Sequence, residues 1–177
     1  MEDLERRRYF LALARDADDK QRAHGLAGLA DLAIDQGKPW DAVRHLRQAL
    51  RLAPLEPHYH YLLGFAYGRM ERWREAALSL EKATHLEPRR AEYLRCLGWV
   101  LCNSQQVERG RGMLSMAHEL DPRNAHILAD LATSYLITKE YETARRYATE
   151  AGSLAPDDPL IQSLGAVTEQ AAPNAEL

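Results

Sequence analysis

Apolar positions recur along the chain at helical spacing, stop at a short polar segment and then resume. The stretch from residue 57 to residue 90 contains one complete cycle of this pattern. Its small or apolar positions are Leu63, Gly64 and Tyr67 in the first half, and Ala76, Leu80 and Ala83 in the second half. Each half predicts one amphipathic helix, the second running from about Trp73 to Leu86. Pro88 then ends it, because proline cannot continue a helix interior.

The same cycle occurs four times, beginning at residues 23, 57, 91 and 125, which are 34 residues apart. Equivalent positions carry the same residue types: Leu29, Leu63, Leu97 and Leu131; Ala49, Ala83, Ala117 and Ala151; Leu52, Leu86, Leu120 and Leu154; Pro54, Pro88, Pro122 and Pro156. One helical hairpin cannot bury its own apolar face, so the four repeats are expected to stack side by side. The sequence therefore predicts an all-α array with repeats at 23–56, 57–90, 91–124 and 125–158.

A further helix is predicted at each end of the array, within a single domain spanning residues 1–177. The N-terminal helix covers residues 3–16, and its apolar residues are Leu4, Phe10, Leu11, Leu13 and Ala14. The C-terminal capping helix covers residues 159–171, and its apolar residues are Leu160, Ile161, Leu164 and Val167. These residues are expected to cover the apolar ends of the stack, and residues 172–177 are expected to form a loose tail.

Composition and charge exclude several classes of function. The formal net charge is -3, and no basic stripe that would attract nucleic acid is present. The apolar run near the N-terminus, Tyr9 to Ala14, is too short for the apolar part of a secretion signal and far shorter than a membrane span. We therefore expect no nucleic acid, no membrane insertion and a cytoplasmic location.

Sequence motifs of enzymes and metal sites were not found. The chain contains no phosphate-binding glycine loop, no H-E-x-x-H, no G-x-S-x-G and no Cys-x-x-Cys. His24, His58 and His126 occupy equivalent places in three repeats, but stacked helices separate such places by about 10 Å, too far for one metal ion. We therefore expect no catalytic residues, no metal and no cofactor.

The repeat resembles the tetratricopeptide repeat, whose pattern is W-x2-L-G-x2-Y…A-x3-F…P over 34 residues. The matching residues are His60-x2-Leu63-Gly64-x2-Tyr67, Ala76-x3-Leu80 and Pro88. The resemblance implies a right-handed superhelical solenoid. His60 and Ala148 depart from the pattern, and the sequence does not identify the partner of His60. Gly110 and Gly112 lower the helix propensity of their helix, which predicts the least stable helix of the array.

In this family the first helix of each repeat lines the concave surface. Helical steps of 100° place a second stripe, here called the inner stripe, opposite the packing residues of each first helix. In the first repeat it contains His24, Ala27, Gly28, Asp31 and Asp35. The predicted peptide-binding residues in the later repeats are Tyr61, Leu62, Phe65, Arg69, Arg95, Trp99, Asn103, Asp130, Thr133 and Ile137.

Aromatic residues and arginine concentrate binding energy at protein interfaces, and Tyr61, Phe65 and Trp99 lie on the inner stripe with Arg69 and Arg95 beside them. The sequence therefore predicts an adaptor or scaffold that binds a peptide or helix of a partner protein. Alternatively, the N-terminal helix or the C-terminal tail covers this surface.

Two further functions are open at this level: a homo-oligomeric assembly module, and a chaperone for secreted substrates. The carboxylate clamp that some relatives use is not expected. The places that would supply its Lys, Arg and Asn side chains hold Ala27, Asp31, Leu62, Glu92 and Cys96.

Overall fold

The structure is a computed structural model and describes residues 2–171. The described chain folds into ten α-helices without a β-strand. The first five are α1 (Glu2–Leu13), α2 (Asp19–Asp35), α3 (Pro39–Leu52), α4 (Pro57–Gly68) and α5 (Trp73–Leu86). The others are α6 (Ala91–Asn103), α7 (Val107–Leu120), α8 (Ala125–Ile137), α9 (Tyr141–Leu154) and α10 (Pro159–Ala171). The predicted all-α fold is confirmed, and the predicted tail at 172–177 lies outside the described residues.

The helices form two compact units, Met1–Pro88 and Arg89–Leu177, here called unit 1 and unit 2. In unit 1, α1 packs against α2, α2 pairs with α3, and α4 pairs with α5. In unit 2, α6 pairs with α7, α8 pairs with α9, and α10 packs against α9 and α8.

The bounds of α5 agree with the prediction, whereas α2 begins one turn earlier than predicted. The side chain of Asp18 caps α2 there by accepting a hydrogen bond from the Gln21 N–H at 2.8 Å. The single domain stays a prediction.

A glycine facing a leucine brings the two helices of a hairpin together. A Cβ on Gly64 would lie 2.5 Å from Leu80 Cγ, and a Cβ on Gly98 would lie 2.6 Å from Leu114 Cγ. Both leucines are fully buried. The absence of a side chain at the glycine therefore lets a large apolar residue of the second helix fill the interface, as the repeat pattern predicts.

The turn inside each repeat uses one residue with positive φ. These residues are Gly37 (67°), Glu71 (56°), Gln105 (65°) and Lys139 (63°), again 34 positions apart. In each turn the next N–H donates to a carbonyl of the preceding helix, as from Arg72 to Tyr67 at 3.0 Å. This is the left-handed cap that commonly ends helices. The sequence analysis missed this column, because only the first repeat has glycine there.

Replacing Gly37 by alanine is expected to lower the free energy of unfolding by about 1 kcal/mol, because an L side chain is strained at positive φ. No atom lies within 4 Å of a Cβ at this position, so the change adds no clash and isolates the backbone effect. The reverse change, Gln105→Gly, is expected to be neutral or slightly stabilising. Urea unfolding followed by far-UV circular dichroism measures both effects. A Gly37→Ala protein with the same free energy of unfolding as wild type would contradict the expected backbone strain.

His60 has a hydrogen-bond partner that the sequence did not reveal. Its Nε2–H donates to the carbonyl oxygen of Pro54 at 2.8 Å, and the side chain is buried. Pro54 lies in the connection between α3 and α4, so the histidine satisfies a carbonyl beyond the end of α3. Burial is the main cause that lowers the pKa of His60, and Lys82 lowers it further, while the bond to Pro54 opposes them.

The stability of the protein is expected to fall as the pH is lowered through 6.5. The unfolded chain takes up a proton on His60 near 6.5, whereas the folded chain does so only at lower pH, so stability rises with pH in this window. Burial is also the main cause that lowers the pKa of His45, so this residue likewise makes the stability rise with pH. Each contributes at most about 1.4 kcal/mol per pH unit. Chemical unfolding at a series of pH values tests this, and a His60→Gln protein with the same pH slope as wild type would contradict it.

The terminal helices bury fewer of their apolar residues than predicted. In α1, Leu4 and Leu11 are 55% and 36% exposed. In α10, Leu160 and Val167 are 79% and 50% exposed, and the buried residues are Ile161 and Thr168 instead. Thr168 is tolerated there because its hydroxyl donates to the Gly165 carbonyl at 2.8 Å. The predicted covering role of Leu4, Leu11, Leu160 and Val167 is therefore wrong.

Candidate functional site

The inner stripe of unit 1 is more buried than the sequence analysis expected. Tyr61 and Leu62 on α4 are only 9% and 6% exposed. The Tyr61 ring lies 5.9 Å from that of His58 and 6.3 Å from that of Phe65, so the three rings form a row along α4. Phe65 is partly exposed and Arg69 is exposed. Tyr61 and Leu62 therefore offer a partner little surface, in contrast to their predicted role.

In unit 2 the inner stripes of α6 and α8 are joined by an ion pair. Arg95 Nη1 on α6 donates to Asp130 Oδ2 on α8 at 2.9 Å, and the two side chains are 28% and 18% exposed. Burial raises the pKa of Asp130, although Arg95 partly opposes this. The structure thus brings these two predicted site residues together as an ion pair whose charges compensate each other.

Four other predicted residues lie on the inner stripes of the same two helices, α6 and α8. Asn103 and Thr133 are exposed, Ile137 is 50% exposed, and Trp99 is partly buried. Asn103 Nδ2 donates to the Trp99 carbonyl at 2.8 Å, and Thr133 Oγ1 donates to the Ala129 carbonyl at 2.9 Å. These bonds remain within each helix and leave the methyl group of Thr133 and the side chain of Ile137 accessible. These four residues therefore present one aromatic ring, one aliphatic side chain and two neutral polar side chains.

α10 continues this surface with residues that the sequence analysis assigned to packing. Leu160 and Val167 lie 34 positions after His126 and Thr133, so they occupy inner-stripe positions of a first helix. Both are exposed, and α10 packs against α8. The signal that could have located them was the repeat register itself, extended by one further helix.

The cysteines and histidines do not form a reactive centre. Cys96 and Cys102 are both buried and not joined in a disulfide. Burial raises the pKa of the Cys96 thiol to about 12 and that of Cys102 to about 11, so both remain protonated and unreactive at neutral pH. Within residues 2–171, no three His, Cys, Asp or Glu side chains are arranged to hold a metal ion. Nor does this part of the chain contain a helix with the length and apolar character needed to span a membrane.

Comparison with known proteins supports the repeat assignment. The sequence profile described as tetratricopeptide repeat matches residues 27–67. A tetratricopeptide-repeat protein of Thermus thermophilus has a similar structure, with a TM-score of 0.81, 19% identity, and coverage of 95% of this chain and 89% of that chain. No curated protein sequence matches significantly.

Two further proteins of similar structure are associated with peptide binding. YrrB, a tetratricopeptide-repeat protein with an unusual peptide-binding site, has a TM-score of 0.72 and 18% identity, and covers 92% of this chain and 82% of that chain. The first such domain of Spaghetti (RPAP3), bound to the HSP90 peptide SRMEEVD, has a TM-score of 0.65 and 19% identity. That match covers 67% of this chain and 94% of that chain. At these identities the similarity demonstrates a common fold and leaves the ligand of this chain open.

Proposed function

We propose that this chain, whose residues 27–67 match the tetratricopeptide-repeat model and whose fold is similar to that of a Thermus thermophilus protein with this repeat, is a non-enzymatic adaptor that binds an apolar peptide or helix of a partner protein. The inner stripe of unit 2 is the main contact surface in this proposal. The observation that carries it is the exposure of Ile137, Leu160 and Val167 on the neighbouring helices α8 and α10.

The chemistry of this surface favours an apolar ligand over a charged one. Arg95 and Asp130 already neutralise each other, so a ligand charge placed beside them would gain little. Trp99 and Ile137 in the same stripes are aromatic and aliphatic, and the ionisable side chains one turn from the pair are Glu92 and His126. Exposed apolar patches with a polar surround mark interaction sites in soluble proteins, and an amphipathic segment laid along such a patch would bury its apolar face there.

Unit 1 has a smaller part in the proposal. Phe65 and Arg69 keep accessible surface on α4 and remain proposed contact residues. Tyr61 and Leu62 are buried, and the Tyr61 ring lies beside that of Phe65 with 6.3 Å between the ring centroids. Substituting Tyr61 would therefore disturb folding as well as binding, which makes it a poor probe of function.

Replacing Trp99 and Ile137 by alanine is expected to reduce capture of partner proteins from the lysate of the source cell at least about tenfold, as loss of interface anchors does. Met116 on α7 is the matched control: it is 45% exposed, belongs to unit 2 and lies on a second helix, away from the inner stripe. A Met116→Ala protein should capture the same partners as wild type. Quantitative mass spectrometry of the captured proteins gives the comparison.

Equal capture by the Trp99→Ala/Ile137→Ala protein, with unchanged helicity, would contradict the proposal. A synthetic SRMEEVD peptide, the ligand of the RPAP3 domain, serves as a second probe. We expect it not to bind, because Glu92 and Cys96 occupy places where a carboxylate clamp has cations. Tight binding of this acidic peptide would show that the ligand class is wrong.

Self-association is a second candidate, favoured by the exposure of Leu160 and Val167. Two copies could cover these residues by pairing through α10, since an exposed apolar helix face is a common oligomer contact. Light scattering over a concentration series tests this directly. A strict monomer at high concentration would exclude it and leave binding to another protein as the function.

A further inference from the structure

The N-terminal helix occupies the inner stripe of the first repeat. The Phe10 ring of α1 lies directly over Gly28 of α2, so closely that a Cβ on Gly28 would overlap the ring. One turn earlier in α2, Gly25 contacts the backbone of Leu13 and Ala14 in the same way. Two glycines three residues apart thus form a notch on α2 that receives an aromatic side chain and the end of a helix.

Charged and aromatic contacts at the edge of the notch extend this fit. Arg6 Nη2 lies 3.7 Å from Asp31 Oδ2, and the Phe10 ring lies 6.1 Å from that of His24. Burial and Asp35 raise the pKa of Asp31, while the nearby Arg6 lowers it, so a cation at this edge favours the charged carboxylate. Arg6 and Phe10 are four residues apart and therefore project from the same side of α1.

The side chains of α1 remain partly or fully exposed although α1 packs closely on the glycines of α2. None of the side chains of residues 3–13 is buried, whereas every other helix from α2 to α10 contains buried residues. Leu4 and Tyr9 are 55% and 58% exposed. A terminal helix that packs on one neighbour and buries none of its own side chains fully is expected to open at a lower free energy than the core helices.

We propose that α1 is a displaceable internal ligand, and that the notch on α2 binds a partner helix carrying Arg and an aromatic residue at the spacing of Arg6 and Phe10. This proposal rests on the proposed function and adds a means of regulating it, namely the displacement of α1. In the resting chain α1 fills the inner stripe of the first repeat. A partner helix of the same chemistry displaces α1 and gains the contacts to Gly28, Asp31 and His24.

The test uses the full chain and a fluorescent peptide with the sequence of residues 2–14, EDLERRRYFLALA. An Arg6→Ala/Phe10→Ala protein should release α1 and leave the notch intact. It should bind the peptide at least about tenfold more tightly than wild type, because in wild type only the open fraction can bind. A peptide lacking Phe10 (Phe10→Ala) should fail to bind. Equal affinity of both proteins for the peptide would overturn the proposal.

Gly28→Leu supplies the matched control, since Leu62 holds the equivalent position in α4 and shows that a first helix tolerates leucine there. This side chain should both expel α1 and fill the notch. Hydrogen exchange should then show fast exchange of the α1 amides in both variants and unchanged protection in α3 to α5. Peptide binding to Gly28→Leu, or α1 amides as protected in the Arg6→Ala/Phe10→Ala protein as in wild type, would overturn the proposal.

Failure of this inference is distinguishable from failure of the proposed function. The Arg6→Ala/Phe10→Ala protein changes only unit 1, and the Trp99→Ala/Ile137→Ala protein changes only unit 2. Lost partner capture in the second protein, together with no peptide binding in the first, would retain the adaptor function and reject the displaceable helix.

Discussion

Replacing Gly110 by alanine is expected to lower the free energy of unfolding by about 2 kcal/mol, because the added methyl group has no space. A Cβ at this position would lie 2.7 Å from the Gly98 carbonyl oxygen, 2.9 Å from the Cys102 backbone nitrogen and 2.5 Å from Cys102 Sγ. Two of these three atoms belong to the backbone of α6 and cannot rotate away. The substitution must therefore push α7 away from α6.

Gly112, two residues further along the same helix, provides the control. No atom lies within 4 Å of a Cβ there, and the residue is exposed. Alanine at this position is expected to stabilise the protein by about 0.5–1 kcal/mol through its higher helix propensity. Chemical unfolding of both variants gives the difference directly. Equal effects of the two substitutions would contradict the packing role of Gly110.

Replacing Arg95 by leucine is expected to destabilise the folded protein by about 3 kcal/mol at neutral pH, because the Asp130 carboxylate loses the cation that compensates its burial. The difference in free energy of unfolding between this variant and the wild type should become smaller as the pH falls toward the ordinary carboxyl pKa. Burial already raises the pKa of Asp130, so the folded protein takes up a proton there before the unfolded chain does. Lowering the pH therefore stabilises the fold of this variant through Asp130.

The double variant Arg95→Leu/Asp130→Leu should recover most of this loss, since it leaves no buried charge and adds apolar contact between α6 and α8. Thermal and urea unfolding of the two single variants and the double variant form a complete cycle. Strictly additive effects of the two substitutions would show that the 2.9 Å contact contributes nothing.

The helical hairpins could be predicted from sequence because their determinants are local or periodic. Helical spacing, the break before Trp73 and the proline at Pro88 predicted α5 with its bounds. The turn residues were missed, since Glu71, Gln105 and Lys139 share no side-chain chemistry and only a backbone angle. Their common feature is a positive φ angle, which residue type alone does not reveal.

The candidate site was predicted less completely, because helical steps of 100° identify a face of a helix and not what lies against it. The spacing within α6 and α8 gave no sign that Arg95 and Asp130 form a pair. Tyr61 and Leu62 were placed on an open surface, yet they are buried. The covering of Gly28 by Phe10 depended on how α1 packs on α2, which no periodicity encodes.

The sequence alone determined the repeat, its period, the helix class and the absence of known catalytic motifs, because these follow from residue types at fixed spacing. The tertiary structure alone decided which polar residues are satisfied and which apolar residues remain exposed. His60 finds the Pro54 carbonyl, and Leu160 and Val167 stay open although they look like core residues. The physical reason is that burial and hydrogen bonding depend on neighbours distant in sequence, which the pattern within one repeat cannot specify.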